Sequence, residues 1–216
     1  SEYTAFMKYK EMKDKYDYMQ QFNVNSKEDI ALTLAVFGAF TEGLQLFASF
    51  AILLNFPRWG KMKGMGQIVT WSIRDESLHV ESMMQLFKTL LQEYCSSESD
   101  MSLIRKFVEE QARISVGLED CFIDLAFEMG EVEGMTPLDV KNYIRYIADR
   151  RLEQLGFEPI YNMGENPLPW LDWILNGVEH ANFFENRSTE YAKGSLTGSW
   201  QEVWNVMDNK PHTPGY

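Results

Sequence analysis

Residues 31–56, ALTLAVFGAFTEGLQLFASFAILLNF, form a long apolar stretch that contains one carboxylate, Glu42. The length of this stretch would suit a membrane-spanning helix. However, polar residues interrupt it, and a carboxylate near the middle of a membrane span is energetically costly. We therefore predict a buried helix in a soluble bundle and no association with a membrane. Because burying an ionised carboxylate is costly unless it is paired or binds a metal, Glu42 needs a partner.

The rest of the chain has a helical period, and strand signals are nearly absent. Two capping boxes, Ser26 with Asp29 and Thr136 with Asp139, mark helix starts. The predicted helices cover residues 2–21, 26–56, 67–94, 101–129, 136–155 and 168–176. This pattern predicts an all-α fold, arranged as a helical bundle.

Length and charge exclude several classes of protein. A chain of 216 residues is long enough for one good-sized core and short for two. The net charge of −12 argues against a nucleic-acid binder, which would need a basic surface. The first twenty residues contain no apolar segment typical of a signal peptide, so a cytoplasmic location is expected.

A second acidic position lies in the stretch IRDESLHVESM, residues 73–83, where Glu76 precedes His79 by three residues. Residues three apart in a helix lie on one face, so this carboxylate and this imidazole can reach one point. If the two helices pack antiparallel, Glu42 can reach the same point. Two carboxylates and an imidazole suit iron or manganese better than structural zinc.

These three residues are half of a known ligand pattern. Dimetal sites in helical bundles use one Glu from each of two helices and a Glu-x-x-His from each of the other two. This chain has one lone Glu and one Glu-x-x-His, and neither His180 nor His212 follows an acid by three residues. The residues therefore indicate half of a dimetal site, although a solvated Glu-x-x-His pair without metal remains an alternative.

Several segments resemble the small, radical-generating β subunit of ribonucleotide reductase over residues 26–200. These segments are TEGLQLFASFAILLNF, SIRDESLH, YIRYIADRRLEQLGFEPIY, NPLPWLD and NGVEHANFFENRSTEYAKG. The resemblance implies a ferritin-like helical bundle. It also implies an activity, the generation of an oxidant that the large subunit uses to make deoxyribonucleotides from ribonucleoside diphosphates.

The resemblance further implies roles for individual residues. Glu42, Glu76 and His79 would be ligands of one metal, with Glu76 bridging to the second metal. Asp75 matches the family's aspartate in the proton-coupled electron-transfer chain towards the large subunit, which would make it a catalytic residue. The pocket that protects the radical would be lined by Leu46, Phe50 and Val69.

The family's remaining ligands, its usual radical tyrosine and the tryptophan paired with the aspartate lie upstream of the matched residues. We therefore predict that residues 1–204 are the C-terminal half of a ferritin-like dimetal domain, and that a missing N-terminal half completes the bundle. Residues 205–216 are expected to be a flexible tail, in which the role of Tyr216 stays open. The expected partners are that N-terminal half, the large subunit and a second copy of the completed small subunit.

The sequence leaves other questions open. Oxygen and nitrogen ligands do not distinguish a dinuclear iron centre from a manganese or mixed manganese–iron centre. The chain could also belong to another ferritin-like dimetal oxidase or iron-storage protein. A further alternative is a metal-free structural subunit that only docks the large subunit.

Overall fold

The computed structural model describes the chain over residues 2–94 and 98–178. These residues form a helical bundle, as predicted. The helices are a 3₁₀ helix Glu2–Lys8, α1 Lys10–Met19, α2 Lys27–Ala35, a π-helix Val36–Glu42, α3 Phe47–Arg58, α4 Lys63–Tyr94, α5 Glu98–Ala126, α6 Pro137–Leu155 and α7 Pro169–Val178. The predicted boundary after residue 204, the tail 205–216 with Tyr216, and His180 and His212 lie outside the described residues.

Both predicted capping boxes are confirmed. The Ser26 hydroxyl accepts the Asp29 backbone N–H at 3.0 Å, and Asp29 in turn accepts the Ser26 N–H at 3.2 Å. The Thr136 and Asp139 pair makes the same reciprocal contacts at the start of α6, where Pro137 occupies the first turn. Reciprocal caps of this kind satisfy backbone N–H groups that a helix start leaves unpaired.

The prediction of one continuous helix over residues 26–56 is wrong in one respect. The helix begins as predicted, but it widens into the π-helix Val36–Glu42 and then breaks into turns before α3 begins at Phe47. No proline lies between residues 26 and 56 to signal this break. Its cause lies in contacts with other helices, which sequence periodicity does not report.

The broken apolar segment lies at the centre of the bundle. The π-helix packs against α4, α5 and α6, while α2 and α3 both pack against α4. Fully buried side chains at these contacts include Phe40, Leu44, Phe87, Ile123, Ile144 and Leu152. Burial of each such side chain stabilises the fold by about 1.5–3 kcal/mol.

By length and composition alone, the run Lys27–Arg58 could cross a membrane. In the structure, 56% of its most apolar window is buried inside the protein. A core helix of a bundle has the same composition, so this burial agrees with the prediction of a core segment.

Candidate metal centre

Glu42 is the last residue of the π-helix. The Gln45 N–H donates to the Phe40 carbonyl at 2.9 Å, a bond that spans five residues rather than the four of an α-helix. Such a widened turn is rare, and short π segments occur frequently at functional sites. The backbone at Glu42 therefore has a conformation that is typical of functional sites.

Gly38 allows the π-helix to approach α4 closely. A Cβ atom at Gly38 would lie 2.7 Å from the Cβ of Met83, a separation that real side chains do not tolerate. Four residues further along the π-helix, Glu42 faces His79, which precedes Met83 on α4. The two helices therefore run antiparallel, which is the arrangement that the prediction from the sequence required for Glu42 to reach Glu76 and His79.

The three predicted ligands meet in the structure. His79 Nδ1 lies 3.9 Å from Glu42 Oε2 and 3.6 Å from Glu76 Oε2. One candidate ligand atom from each of the three residues lies within 4.8 Å of the others. The side chains of Glu42 and Glu76 are 27% and 24% exposed, whereas that of His79 is 51% exposed. The cluster is therefore half-buried and open on the imidazole side.

Electrostatics at this cluster favour a bound cation. Burial raises the pKa of Glu42 above its ordinary value; the neighbouring Glu76 raises it further, and His79 opposes both effects. Glu42 Oε2 is buried and has no hydrogen-bond partner among the described residues. A buried, unpartnered carboxylate oxygen beside a second carboxylate is costly as it stands, and a cation would relieve that cost.

The donor set fits iron or manganese. Two carboxylates and one imidazole are an oxygen-rich set, which differs from the thiolate and imidazole shell of structural zinc. Among the described residues, no other group of three His, Cys, Asp or Glu residues has this geometry. The described residues thus contain three of the six ligand residues of the dimetal pattern in helical bundles, which is half of the set.

A cavity of about 320 Å³ lies beside the cluster. Its wall includes Glu42 and Glu76, together with the apolar parts of Met12, Leu46 and Phe122. Two further polar atoms near this wall, Thr41 Oγ1 and Gln45 Nε2, are buried without a hydrogen-bond partner in the part of the chain that the structure describes. Buried polar groups normally have hydrogen-bond partners. Unpaired groups around an open cavity are therefore expected where a ligand or a further segment of protein completes the site.

The other predicted functional residues are not members of the three-residue cluster. Asp75 is exposed and is not among the three clustered residues. Of the predicted pocket residues, Val69 is 7% exposed and belongs to the core, and Phe50 is partly buried against it. Leu46 is 37% exposed and lines the cavity.

Sequence reasoning missed three charged residues around the helix break, Lys15, Glu119 and Arg151. Lys15 and Glu119 form an ion pair with side chains only 11% and 0% exposed. Their positions in the sequence resemble those of ordinary surface residues on amphipathic helices. A glutamate and a lysine from distant helices give no local signal that they will meet in the core.

The described residues form a helical bundle in which two carboxylates and an imidazole converge, which defines a helical protein with a carboxylate–histidine cluster that could hold a metal ion. The family model of the ribonucleotide reductase small chain matches residues 1–167. The chain belongs to the ribonucleotide reductase small-subunit family.

Two viral relatives support the assignment. A probable ribonucleoside-diphosphate reductase small subunit of Invertebrate iridescent virus 3 is 50% identical over 92% of this chain and 57% of its own length. The corresponding protein of Invertebrate iridescent virus 6 is 44% identical over 94% of this chain and 66% of its own length. The chain thus spans between half and two thirds of the length of these relatives.

Solved structures of the family share the fold. A putative class I ribonucleotide reductase from Bacillus halodurans superposes with a TM-score of 0.73 at 25% identity, covering 79% of this chain and 62% of that one. The R2 subunit from Clostridium botulinum gives a TM-score of 0.69 at 20% identity, covering 80% of this chain and 55% of that one. The fold is therefore the all-helical, ferritin-like fold of these subunits, present over part of their length. Membership of the family implies a dimetal site.

Proposed function

We propose that the chain is the C-terminal half of the radical-generating small subunit of an aerobic, class I ribonucleoside-diphosphate reductase. In this proposal it supplies half of a dimetal-carboxylate centre. The convergence of Glu42, Glu76 and His79 within 4.8 Å, in a chain that belongs to this family, is the observation that carries the proposal.

Each of the three residues has a defined role in the proposed centre. Glu42, Glu76 and His79 would hold one metal ion, and Glu76 would also be a ligand of the second ion. The ions are iron, manganese or one of each. When bound, such a metal pair activates oxygen and supplies a one-electron oxidant. The chain itself contributes negative charge, and a cation would stabilise the Glu42 carboxylate, whose pKa is raised by burial and by Glu76.

The surrounding residues serve the transfer and protection of the oxidant. Asp75 is exposed next to Glu76 in the sequence, where its carboxylate can exchange a proton with a partner from outside the described bundle. Phe50 and Val69 contribute apolar surface that excludes water and reductants from the neighbourhood of the oxidant. Exclusion of water also strengthens the electrostatic interactions within the site.

The proposal requires partners. An N-terminal half, on a separate chain or on a segment preceding these residues, supplies the remaining ligands, and two completed subunits form a homodimer. The large subunit receives the oxidant and reduces ribonucleoside diphosphates, with residues 205–216 as the docking tail. We place the assembly in the cytoplasm, without nucleic-acid or membrane partners, in agreement with the net charge of −12.

The proposal is tested by purifying this chain together with the segment that completes it, loading the assembly with ferrous or manganous ion, and exposing it to oxygen. Metal content, the electron paramagnetic resonance spectrum and deoxyribonucleotide formation with the large subunit are then measured. We expect two metal ions per completed subunit, a radical or mixed-valence signal, and turnover. An assembly that retains no metal above background would rule the proposal out. Metal binding without turnover would instead favour another ferritin-like oxidase.

A further inference from the structure

The helix break after Glu42 leaves two backbone carbonyl groups outside the helical hydrogen-bond pattern. These are the carbonyls of Gly43 and Gln45, in the turns between the π-helix and α3. Within the described residues, neither accepts a backbone N–H. Buried carbonyls without partners would cost free energy and would favour a return to regular helix, so other groups must satisfy them.

Arg151 of α6 satisfies the first carbonyl. Its Nε–H donates to Gly43 O at 2.8 Å, and its guanidinium carbon lies 5.2 Å from the centre of the Phe47 ring, at the start of α3. Burial lowers the pKa of Arg151 to about 10, which leaves the side chain charged at neutral pH. Only glycine fits at position 43, because a Cβ there would lie 2.5 Å from the Ala39 carbonyl oxygen and 2.8 Å from Arg151 Nε.

Lys15 of α1 satisfies the second carbonyl. Its ammonium donates to Gln45 O at 2.8 Å and pairs with the carboxylate of Glu119 on α5. It also lies 4.7 Å from the centre of the Phe122 ring. Buried ion pairs are often no more stabilising than apolar side chains of the same volume, so stability alone gives little reason for one here.

We propose that Arg151 and Lys15 are positioning residues that hold the helix break open and thereby fix the Glu42 carboxylate towards Glu76 and His79. Two charged donors, from α6 and from α1, hold the two carbonyls that follow Glu42. Glu119 balances the charge of Lys15. The part of this inference that concerns metal binding rests on the proposed function, whereas the part that concerns the helix break does not.

The test compares Arg151→Met with Arg145→Met in the complete small-subunit assembly that contains this chain. Arg145 is a matched control because it also lies on α6 and donates to a partner on α5, Asp120, at 2.7 and 3.0 Å. Its hydrogen bonds among the described residues go to Asp120 and to the Lys141 carbonyl, and none goes to the break. The first measurement is hydrogen–deuterium exchange of the metal-free assembly over residues 40–47. The second is Mn²⁺ affinity, from the free-ion electron paramagnetic resonance signal.

We expect Arg151→Met to accelerate exchange over residues 40–47 and to weaken Mn²⁺ binding by about tenfold, as outer-shell changes commonly do. Arg145→Met should change neither, and Arg151→Lys, which keeps a donor, should restore part of both. The double variant Lys15→Met/Glu119→Met removes the second donor while keeping an apolar core. Replacing a buried ion pair by apolar side chains commonly preserves stability. The double variant should therefore remain folded and should also exchange faster over residues 40–47.

Equal exchange over residues 40–47 in the Arg151 and Arg145 variants would overturn the inference. Faster exchange with unchanged Mn²⁺ affinity would overturn the link from the break to Glu42. If the unmodified assembly binds no Mn²⁺ but its break still depends on Arg151, the proposed function fails and the structural role of Arg151 stands.

Discussion

Glu42 Oε2 lies 3.9 Å from His79 Nδ1, although the two residues belong to helices separated by the whole of α3. The contact exists because the π-helix runs antiparallel to α4 at a Gly38–Met83 approach too close for any Cβ on residue 38. The geometry of the candidate metal centre therefore depends on a glycine that is not itself a ligand.

Replacing either clustered carboxylate by its amide should abolish tight metal binding. Glu42→Gln and Glu76→Gln keep the shape of the side chain but remove a negative charge and an anionic donor. We expect Mn²⁺ affinity of the completed subunit to fall by about 100-fold or more, since even outer-shell changes cost about 10–100-fold. Glu81→Gln, an exposed position on the same helix, is the control. Unchanged affinity in both cluster variants would contradict the assignment.

Asp75→Asn should separate electron transfer from metal binding. Asp75 is exposed and lies outside the three-residue cluster, so its amide variant should retain the metal content of the unmodified subunit. If its carboxylate exchanges the proton that accompanies the electron, deoxyribonucleotide formation with the large subunit should be lost. Metal analysis and a turnover assay on the same preparation measure both effects. Full turnover in this variant would remove Asp75 from the mechanism.

Gly43→Ala should damage the helix break directly. The new Cβ would lie 2.5 Å from the Ala39 carbonyl and 2.7 Å from the Gly38 carbonyl, so the backbone must move. We expect a loss of about 1–3 kcal/mol in the free energy of unfolding, together with weaker metal binding. Gly117→Ala is the control, because a Cβ there meets nothing within 4 Å. That change should stabilise α5 by about 0.4–1 kcal/mol.

Glu119 should make stability depend on pH in a predictable direction. Burial raises its pKa from the ordinary 4.5 to about 7, Lys15 of α1 opposes this, and Asp120 on the same helix adds to it. Between these two values the folded chain binds more protons than the unfolded chain at this position. The contribution of Glu119 to the free energy of unfolding therefore falls as pH rises from 4.5 to about 7, and it becomes constant above about pH 7.

The measurement for Glu119 is the unfolding midpoint of the unmodified protein and of Glu119→Gln between pH 5 and pH 8. Relative to the variant, the unmodified protein should lose on the order of 1–3 kcal/mol as pH rises. Glu110→Gln, exposed on the same helix, should follow the unmodified protein. A gain in relative stability with rising pH would show that the ion pair with Lys15 outweighs burial.

Asp149 should be essential for the segment that follows α6. Its carboxylate is 3% exposed and accepts the backbone N–H groups of Ile160, Tyr161 and Met163 at 2.9, 2.9 and 2.8 Å. Asp149→Asn places an amide donor against these donors, which should cost about 2–4 kcal/mol in unfolding free energy. Asp124→Asn, whose side chain is 65% exposed beside Lys141, should cost less than about 1 kcal/mol. Thermal unfolding of the two variants compares them, and equal losses would contradict this account.

Much of the fold was predictable because it is encoded locally. Helical periodicity and the Ser26 and Thr136 capping boxes depend on residues within one or two turns, and the structure reproduces those helix starts. The helix break was not predictable, because the carbonyls of Gly43 and Gln45 accept hydrogen bonds from side chains of α6 and α1 that are distant in sequence.

The candidate site was predictable for a similar reason. A carboxylate in an apolar stretch and a Glu-x-x-His pair are local patterns, and the structure brings Glu42, Glu76 and His79 together. The pairing of Lys15 with Glu119 needed the three-dimensional structure, since neither residue stands out in its own helix. The ligand roles themselves and the role of Asp75 stay predictions.

The most direct test of the central claim is an anomalous difference map from crystals of the completed small subunit soaked in Mn²⁺. We predict a peak within coordination distance of the carboxylates of Glu42 and Glu76 and of the His79 imidazole, with a second peak on the far side of Glu76. A map without a peak there, in which the three side chains bond only to one another or to ordinary neighbours, would contradict it.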